Sequence, residues 1–509
     1  MPDDAAPNSS RKIRTLNPAY QKLLDLDTTH PVPESFRRDN PIEPGPTRVA
    51  VEQYISRKFH DLEVEKLWKR VWQMACHEDD LPNVGDYIPY DIVGMSFLVV
   101  KTGPDEYKAY YNACLHRGRK LRERPGRGAT ELRCQFHGWT WSLEGKLIQV
   151  PCIWDFPELK REEQSLPEVK VGRWGRFIFI NPDPDCEPLE DFLGDLSDHF
   201  EVLPYERRYK QAHVAKLMRC NWKVTQEAFM EAYHVLATHP QILTGGMDDM
   251  DTKFDVFGNY SRAIRCGALE GTGMPEWDIL PEDGANRVRH PLNGWVYELT
   301  GDGLVRVTTP KGLTGLFTHK AEHVEGELRE VSLHLCQWVG GRQLPPTANP
   351  PMSSTTTTRQ SYADMQRDLY RPAIPSTIDK VADIEFSSIY FTVFPNFHPW
   401  GSFNNIVYRF RPNGDNHEES IMEVMFLAPI PEKGEHSPVR EIHWLGYDDS
   451  WTNAPELGLL ARVLDQDEAN LPYVQKGLHA TNKTYVQFAD YGETKIRHFH
   501  QLLQRWLAR

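Results

Sequence analysis

Between residues 51 and 72 apolar side chains return at helical spacing. Tyr54, Phe59, Leu62, Leu67, Val71 and Trp72 form a stripe among charged neighbours, which predicts an amphipathic helix. Ahead of it, residues 1–47 are polar, with Pro31, Pro33, Pro41, Pro44 and Pro46 close together. They predict an extended arm with one short helix over residues 19–26. Pro82-Asn83-Val84-Gly85 turns the chain. Residues 87–101, with Ile88, Ile92, Phe97, Leu98, Val99 and Val100, then read as strands. Short strands continue to residues 177–181, outlining a small β domain over residues 85–182. Residues 182–188, rich in Pro and Asp, read as a linker. Beyond it the patterns mix. Residues 387–394, 405–410 and 420–428 read as strands, and residues 456–477 and 485–507 as helices. Residues 345–358 are of low complexity and predict a loop.

Composition sets bounds on this outline. A chain of 509 residues exceeds one ordinary domain. Its net charge of −14 disfavours nucleic acid as a partner. No apolar run approaches the ~20 residues of a membrane helix. The acidic start, Met1-Pro2-Asp3-Asp4, has no apolar leader. Eight cysteines stand at 76, 114, 134, 152, 186, 220, 266 and 336. Their scatter suits free thiols in a reducing cytoplasm, most of them acting as small buried apolar residues. The expected location is therefore cytoplasmic.

Two cysteines stand apart from that reading, because each has a histidine beside it. Cys114 and His116 are separated by one residue, Cys134 and His137 by two. Two thiolates and two imidazoles can hold one zinc ion, or one [2Fe–2S] cluster with two ligands on each iron. Structural zinc sites usually pair Cys with Cys and His with His. Glycine follows both histidines closely, at Gly118 and Gly138, and allows the backbone to approach the sulfurs. The pair of motifs looks like a Rieske signature. The basic loop at residues 122–128 reads as a solvated surface.

A second constellation runs from Asn221-Trp222-Lys223 to Glu231, His234 and His239-Pro240. Glu231 and His234, three apart, share one face of a helix. His239 lies five further on, about 140° around an ideal helix, and Pro240 disfavours helical geometry at His239. A distorted or π-like last turn would bring both imidazoles to one ion. The plainer reading is a helix end with one solvated and one buried histidine.

A Rieske-type pair followed by Glu-x-x-His-x₄-His-Pro resembles the α (large) subunit of Rieske non-haem iron oxygenases, the aromatic-ring-hydroxylating oxygenases. The resemblance covers most of residues 48–505. Asn112, the Trp139 after His137-Gly138, Phe394-Pro395-Asn396 and Arg409-Phe410-Arg411-Pro412 add to it. It implies an α+β protein: a small all-β Rieske [2Fe–2S] domain beside a helix-grip (START-like) catalytic domain with a large antiparallel sheet and long helices. The domains implied are an arm at 1–47, a helical segment packed on the catalytic domain at 48–84, the Rieske domain at 85–182 and the catalytic iron domain at 183–509.

The resemblance also implies a site. Cys114, His116, Cys134 and His137 would hold one [2Fe–2S] cluster. His234 and His239 would hold one mononuclear Fe(II) with a distant carboxylate. Alignment on Val474-Gln475-Lys476-Gly477-Leu478 selects Asp467, with Asp465 and Glu468 as neighbours. Glu231, where Asp is common in the family, would bridge the two metal centres across a subunit boundary. Ala228 stands where several relatives carry Asn. Electrons would come from a ferredoxin or a flavin reductase, with NAD(P)H acting only through that partner, since no flavin or nicotinamide fingerprint is present. The expected activity is O₂-dependent hydroxylation, mono- or dihydroxylation or oxidative demethylation, of an apolar, aromatic small molecule. The expected assembly is a homotrimer or an α₃β₃ complex with a small β subunit. The alternative is a Rieske electron carrier joined to a non-catalytic ligand-binding domain. Met230, Leu236, Leu243, Phe391 and Phe394 are candidates for the substrate pocket and equally good core residues.

Overall fold

The computed structural model describes residues 18–38, 45–242, 252–265, 287–342 and 359–509. Leu243, Cys266, residues 345–358 and the first part of the expected arm lie outside them. The short helix of the arm spans Pro18–Asp25 and buries Tyr20 and Leu24.

The segment expected to be one amphipathic helix is broken. Helices run over Glu52–Ile55 and Arg57–Glu63, and a π turn follows over Val64–Trp68. The break falls at Ser56, whose extended backbone and hydroxyl cap the second helix by accepting the Phe59 N–H. Trp68 ends the π turn edge-on to Trp222, with ring centroids 5.0 Å apart. Gln73–His77, in the stretch read as helical segment, is instead a strand paired with Phe177–Asn181. The first β layer therefore begins at Gln73, upstream of the boundary expected at 85.

That layer is a six-stranded antiparallel sheet in the order Gln73–His77, Phe177–Asn181, Glu168–Trp174, Tyr107–Tyr111, Met95–Lys101, Tyr87–Ile92. A three-stranded sheet, Leu132–Arg133, Thr140–Trp141 and Leu147–Gln149, sits beside it. Tyr110, Leu132, Trp139 and Trp141 give this end its own core, which includes Cys114 and Cys134.

The second layer is an eight-stranded sheet ordered Thr252–Val256, Tyr260–Arg265, Ile389–Val393, Phe397–Pro399, Ile406–Asn413, Asn416–Pro429, Arg208–Met218, His443–Leu445. Only its last pairing is parallel. The C-terminal helix, Thr494–Leu507, buries Phe499, Leu502, Leu503 and Trp506 against it, which is the helix-grip arrangement. Residues 485–507 are not helical throughout, because Tyr485–Gln487 pairs with Arg48–Ala50 as a small sheet. A five-stranded meander from Arg287–Arg289 to His323–Gly326 forms a further core with the helix Leu333–Gly340.

Apolar contact and buried charge both join the first two layers. Phe177 and Phe179 pack on Phe397 at 4.8 and 5.5 Å. Around them, fully buried Glu423 accepts from Arg409, from Arg411 Nε at 2.9 Å and lies 3.2 Å from His213 Nε2. Arg409 also donates to the carbonyls of Met74 and Ala75, at 2.8 and 2.6 Å, and Arg411 to that of Asp91 at 3.0 Å. Lys210, on the same large sheet, pairs with Asp80. Burial opposes the Glu423 charge, yet Arg409 and Arg411 hold its carboxyl well below the ordinary range. Removing one member of such a buried set leaves charges without partners. Glu423→Ala is expected to destabilise the protein by about 3–5 kcal/mol in chemical denaturation, whereas Glu65→Ala, at an exposed pair with Lys69, changes little.

Candidate metal centres

The two cysteine–histidine loops are copies of one backbone design. Cys114 N–H donates to Arg119 O at 2.8 Å, and Cys134 N–H to Trp139 O at 2.8 Å. Four residues after each cysteine a glycine N–H returns to the cysteine carbonyl, Gly118 at 2.9 Å and Gly138 at 3.1 Å. Both glycines have left-handed φ, 74° and 73°, where a Cβ would strain the turn. The turns place both cysteines inside and both histidines at the rim, His137 exposed and His116 half-buried. The imidazoles meet edge to face with centroids 4.5 Å apart, and Trp139 stacks on His116 at 5.2 Å. The Cys114 thiol faces Cys134. Burial pushes its pKa up, while the backbone N–H groups of His116 and Arg117 work in the opposite direction. His116 Nδ1 is buried and has no hydrogen-bond partner among the described residues. Two inward sulfurs, N–H groups aimed at one of them and an imidazole nitrogen left open suit a [2Fe–2S] group. The remaining described cysteines, 76, 152, 186, 220 and 336, are free.

The second constellation is built differently from the helix its spacing suggests. The helix that starts at Asn221, whose side chain accepts the Lys223 N–H, covers only Trp222–Glu227. A new helix of four residues, Val235–Thr238, follows. His234 caps its start and His239, with φ −124° and ψ 50°, its end. No π turn forms here; the two histidines leave from opposite ends of one short turn. Glu231, outside either helix, still reaches His234. One of its oxygens lies 2.5 Å from His234 Nδ1 and the other accepts the His234 N–H at 3.1 Å. The rings of His234 and His239 lie 5.2 Å apart at 76°.

The helix Leu459–Glu468 supplies the carboxylate. Asp467 Oδ1 is 2.7 Å from His239 Nε2 and 3.4 Å from His234 Nε2. The neighbouring acids have other work. Asp465 accepts from Ser450 Oγ at 2.6 Å and Trp451 N–H at 2.7 Å, and Glu468 pairs with Lys216 at 3.2 Å. Donor atoms of His234, His239 and Asp467 lie within 4.8 Å of one another. Ligands about 2.1 Å from one ion stand roughly 3 Å apart, so the spacing suits a single cation.

Proton positions sharpen that fit. Glu231 is a carboxylate, so His234 Nδ1 must donate to it. His239 Nδ1 lies 2.9 Å from Gln466 Oε1, also an acceptor. Both rings therefore turn Nε2, the nitrogen left over, toward one Asp467 oxygen. Without a cation between them, a proton must fill the gap. Burial would push the His234 pKa down, but Glu231 and Asp467 raise it to about 10. Burial likewise opposes the Asp467 charge, and His239 and His234 hold its pKa well below the usual range. A divalent ion can replace that proton.

Gln466, fully buried beside Asp467, was not legible as a site residue. The sequence reading also missed Tyr408. Its phenol is pushed up by burial first and by the nearby Asp467 charge after that. Phe229 packs on Tyr408 and Phe410 at 5.1 and 5.3 Å, and Trp400 lies 6.1 Å from Tyr408. Of the apolar candidates, Phe391 instead packs on His199 and Phe200, and Phe394 on Phe499 and Trp506. Met230 is wholly buried in the main core, and Leu236, next to His234, is half-buried.

Comparison with known proteins gives the arrangement its context. A family described as ring hydroxylating alpha subunit (catalytic domain) matches residues 202–509, and a Rieske [2Fe-2S] domain matches residues 71–160. The oxygenase subunit of carnitine monooxygenase from Escherichia coli is 28% identical over 355 residues, 69% of this chain and 86% of that one. The large subunit of anthranilate 1,2-dioxygenase from Acinetobacter baylyi is 28% identical over 202 residues, 38% of this chain and 43% of its own length. Among solved structures, a quaternary ammonium Rieske monooxygenase overlays with a TM-score of 0.55 at 16% identity, covering 91% of this chain and 95% of that one. Naphthalene 1,2-dioxygenase overlays at 0.53 with 18% identity, covering 92% and 94%. These structural likenesses show a shared fold. With one family covering more than half of its length and the Rieske domain ahead of it, this chain belongs to the Rieske non-haem iron oxygenases, as an α (large) subunit.

Proposed function

We propose that His234, His239 and Asp467 hold the mononuclear iron and that Cys114, His116, Cys134 and His137 hold the Rieske cluster of a terminal oxygenase. The observation that carries this reading is the convergence of both Nε2 atoms on one carboxylate oxygen, with each Nδ1 engaged by its own acceptor. An electron carrier with an inert second domain has no use for that arrangement. When bound, the cluster supplies single electrons and ferrous iron supplies activation of O₂. The protein's part is to position and to keep dry. Asp467 and His239 are buried, and Glu231 orients His234. Tyr408, near Asp467, belongs to an aromatic cluster with Phe229, Phe410 and Trp400.

That aromatic cluster supports an apolar, aromatic substrate that is hydroxylated or oxidatively demethylated. A second reading, a quaternary ammonium substrate, is favoured by the long match to carnitine monooxygenase, and rings of this kind also attract cations. Electrons come from a ferredoxin or reductase partner, with NAD(P)H consumed there. Among the described residues no helix is long and apolar enough to cross a membrane, in keeping with a cytoplasmic enzyme.

The assembly proposed is a closed head-to-tail trimer, with or without a small β subunit. Two groups of exposed apolar side chains support it. Phe136, Ile148 and Trp154 stand on the cluster domain, Tyr233 beside His234, and Tyr473 and Val474 on the helix Leu471–Ala480 that follows Asp467. A ring that joins the first to the second on the next copy buries both. Glu231 keeps lone pairs free beyond its two bonds to His234, enough to accept from a cluster histidine of that neighbour.

Iron and acid-labile sulfide measured on anaerobically purified protein should give three irons to two sulfides, and light scattering should give a multiple of three chains. Asp467→Ala should lose one iron per chain and keep the sulfide, while Cys114→Ser should lose the cluster. Two irons in the wild type that cannot be raised by Fe(II) would reject the oxygenase site. Glu231→Gln should retain both metal centres yet slow reductase-driven O₂ uptake; unchanged coupled turnover would exclude a bridging carboxylate. Uptake stimulated by arenes rather than trimethylammonium compounds separates the two substrate readings.

A further inference from the structure

The carboxamide of Gln466 has one orientation its surroundings accept. Its nitrogen faces two backbone carbonyls, Thr238 O at 3.1 Å and His334 O at 3.3 Å. Carbonyls only accept, so the oxygen must point the other way. There it lies 2.9 Å from His239 Nδ1 and 2.6 Å from the Gln241 side-chain nitrogen. A fully buried glutamine with both ends engaged is costly to turn.

The same turn is gripped a second time. His334, on the helix Leu333–Gly340, has its Nε2 3.1 Å from Ala237 O. Successive carbonyls of the turn that ends at His239 are thus held by His334 and by Gln466. His334 in turn offers its own carbonyl to Gln466. The helix bearing His334 shares a core with the five-stranded meander, and Leu459 and Val463 of the Asp467 helix pack against that core. Three elements far apart in sequence therefore meet at one amide.

We infer that Gln466 is a positioning residue for the mononuclear site: its oxygen fixes His239 as the Nδ1–H tautomer with Nε2 toward Asp467, and its nitrogen's bonds to two carbonyls serve to keep that oxygen turned to His239. This deepens the function proposed above and rests on the ligand set named there. No titration is involved, since the amide carries no charge and acts only through the hydrogen bonds it accepts and donates.

The experiment uses protein that keeps its cluster but has been stripped of mononuclear metal, titrated with Co(II). Gln466→Met keeps the bulk and removes the acceptor. It should weaken Co(II) binding by about 10–100-fold, the usual cost of losing a partner to a metal-bound imidazole. Gln466→Glu keeps an acceptor for His239 Nδ1, and its other oxygen, facing the Thr238 and His334 carbonyls, stays there as the protonated O–H and donates to one of them. It should bind Co(II) to within a few-fold of the wild type. Tight binding by Gln466→Met, or equal losses in both variants, would overturn the inference, because a merely structural amide does not distinguish acceptor from donor. Should Gln466→Met fail to fold, Gln466→Glu still decides, and a large loss there counts against it. If the wild type itself takes up no Co(II), the ligand assignment has failed rather than the role of Gln466.

Discussion

Two imidazole nitrogens turned onto a single carboxylate oxygen cannot stand there without a positive charge between them. Each Nε2 of His234 and His239 faces Asp467, and each Nδ1 is committed to another acceptor. Only a positive charge between them makes the arrangement stable, whether a proton or a metal ion. Much of the second layer serves to keep this gathering in place. The histidines sit at the two ends of one short turn. The carboxylate arrives on a helix 228 residues later, and Asp465 and Glu468 on that helix are occupied elsewhere.

Rigidity between the layers comes from a different kind of contact. Glu423, Arg409, Arg411, Lys210 and Asp80, with the His213 imidazole between them, form a buried polar chain that reaches carbonyls of the first sheet. Replacing such a set by apolar residues need not cost stability. Its geometric effect is more specific, because guanidinium groups bonded to named carbonyls fix where one sheet lies on the other. The cluster loops stand at the end of that first sheet, so the same contacts fix their position relative to the second layer.

The cluster loops were readable because their chemistry is local. Cys114 with His116 and Cys134 with His137 lie within one turn each, and a glycine after each pair is required by the left-handed φ found there. Strands over Ile389–Val393, Ile406–Asn413 and Asn416–Pro429 lie where β-rich runs suggested. The Glu231–His234 contact also appeared at its expected spacing, though on an irregular segment. Period-based reasoning failed where single side chains overrule it. Ser56 breaks the first helix by capping, and the stretch after Trp72 pairs as a strand because Phe177–Asn181 offers it an open edge.

The sequence by itself determined the two ligand motifs, the α+β class and the family, since these depend on residues close together in the chain. It also pointed to Asp467, but only by resemblance. The break of the helix before His234, the placement of Asp467 rather than Asp465 or Glu468 against both histidines, and the contact of Gln466 with His239 were decided by tertiary structure alone. Their physical reason is shared: each depends on which acceptor a buried donor finds across space, and no spacing along the chain encodes that.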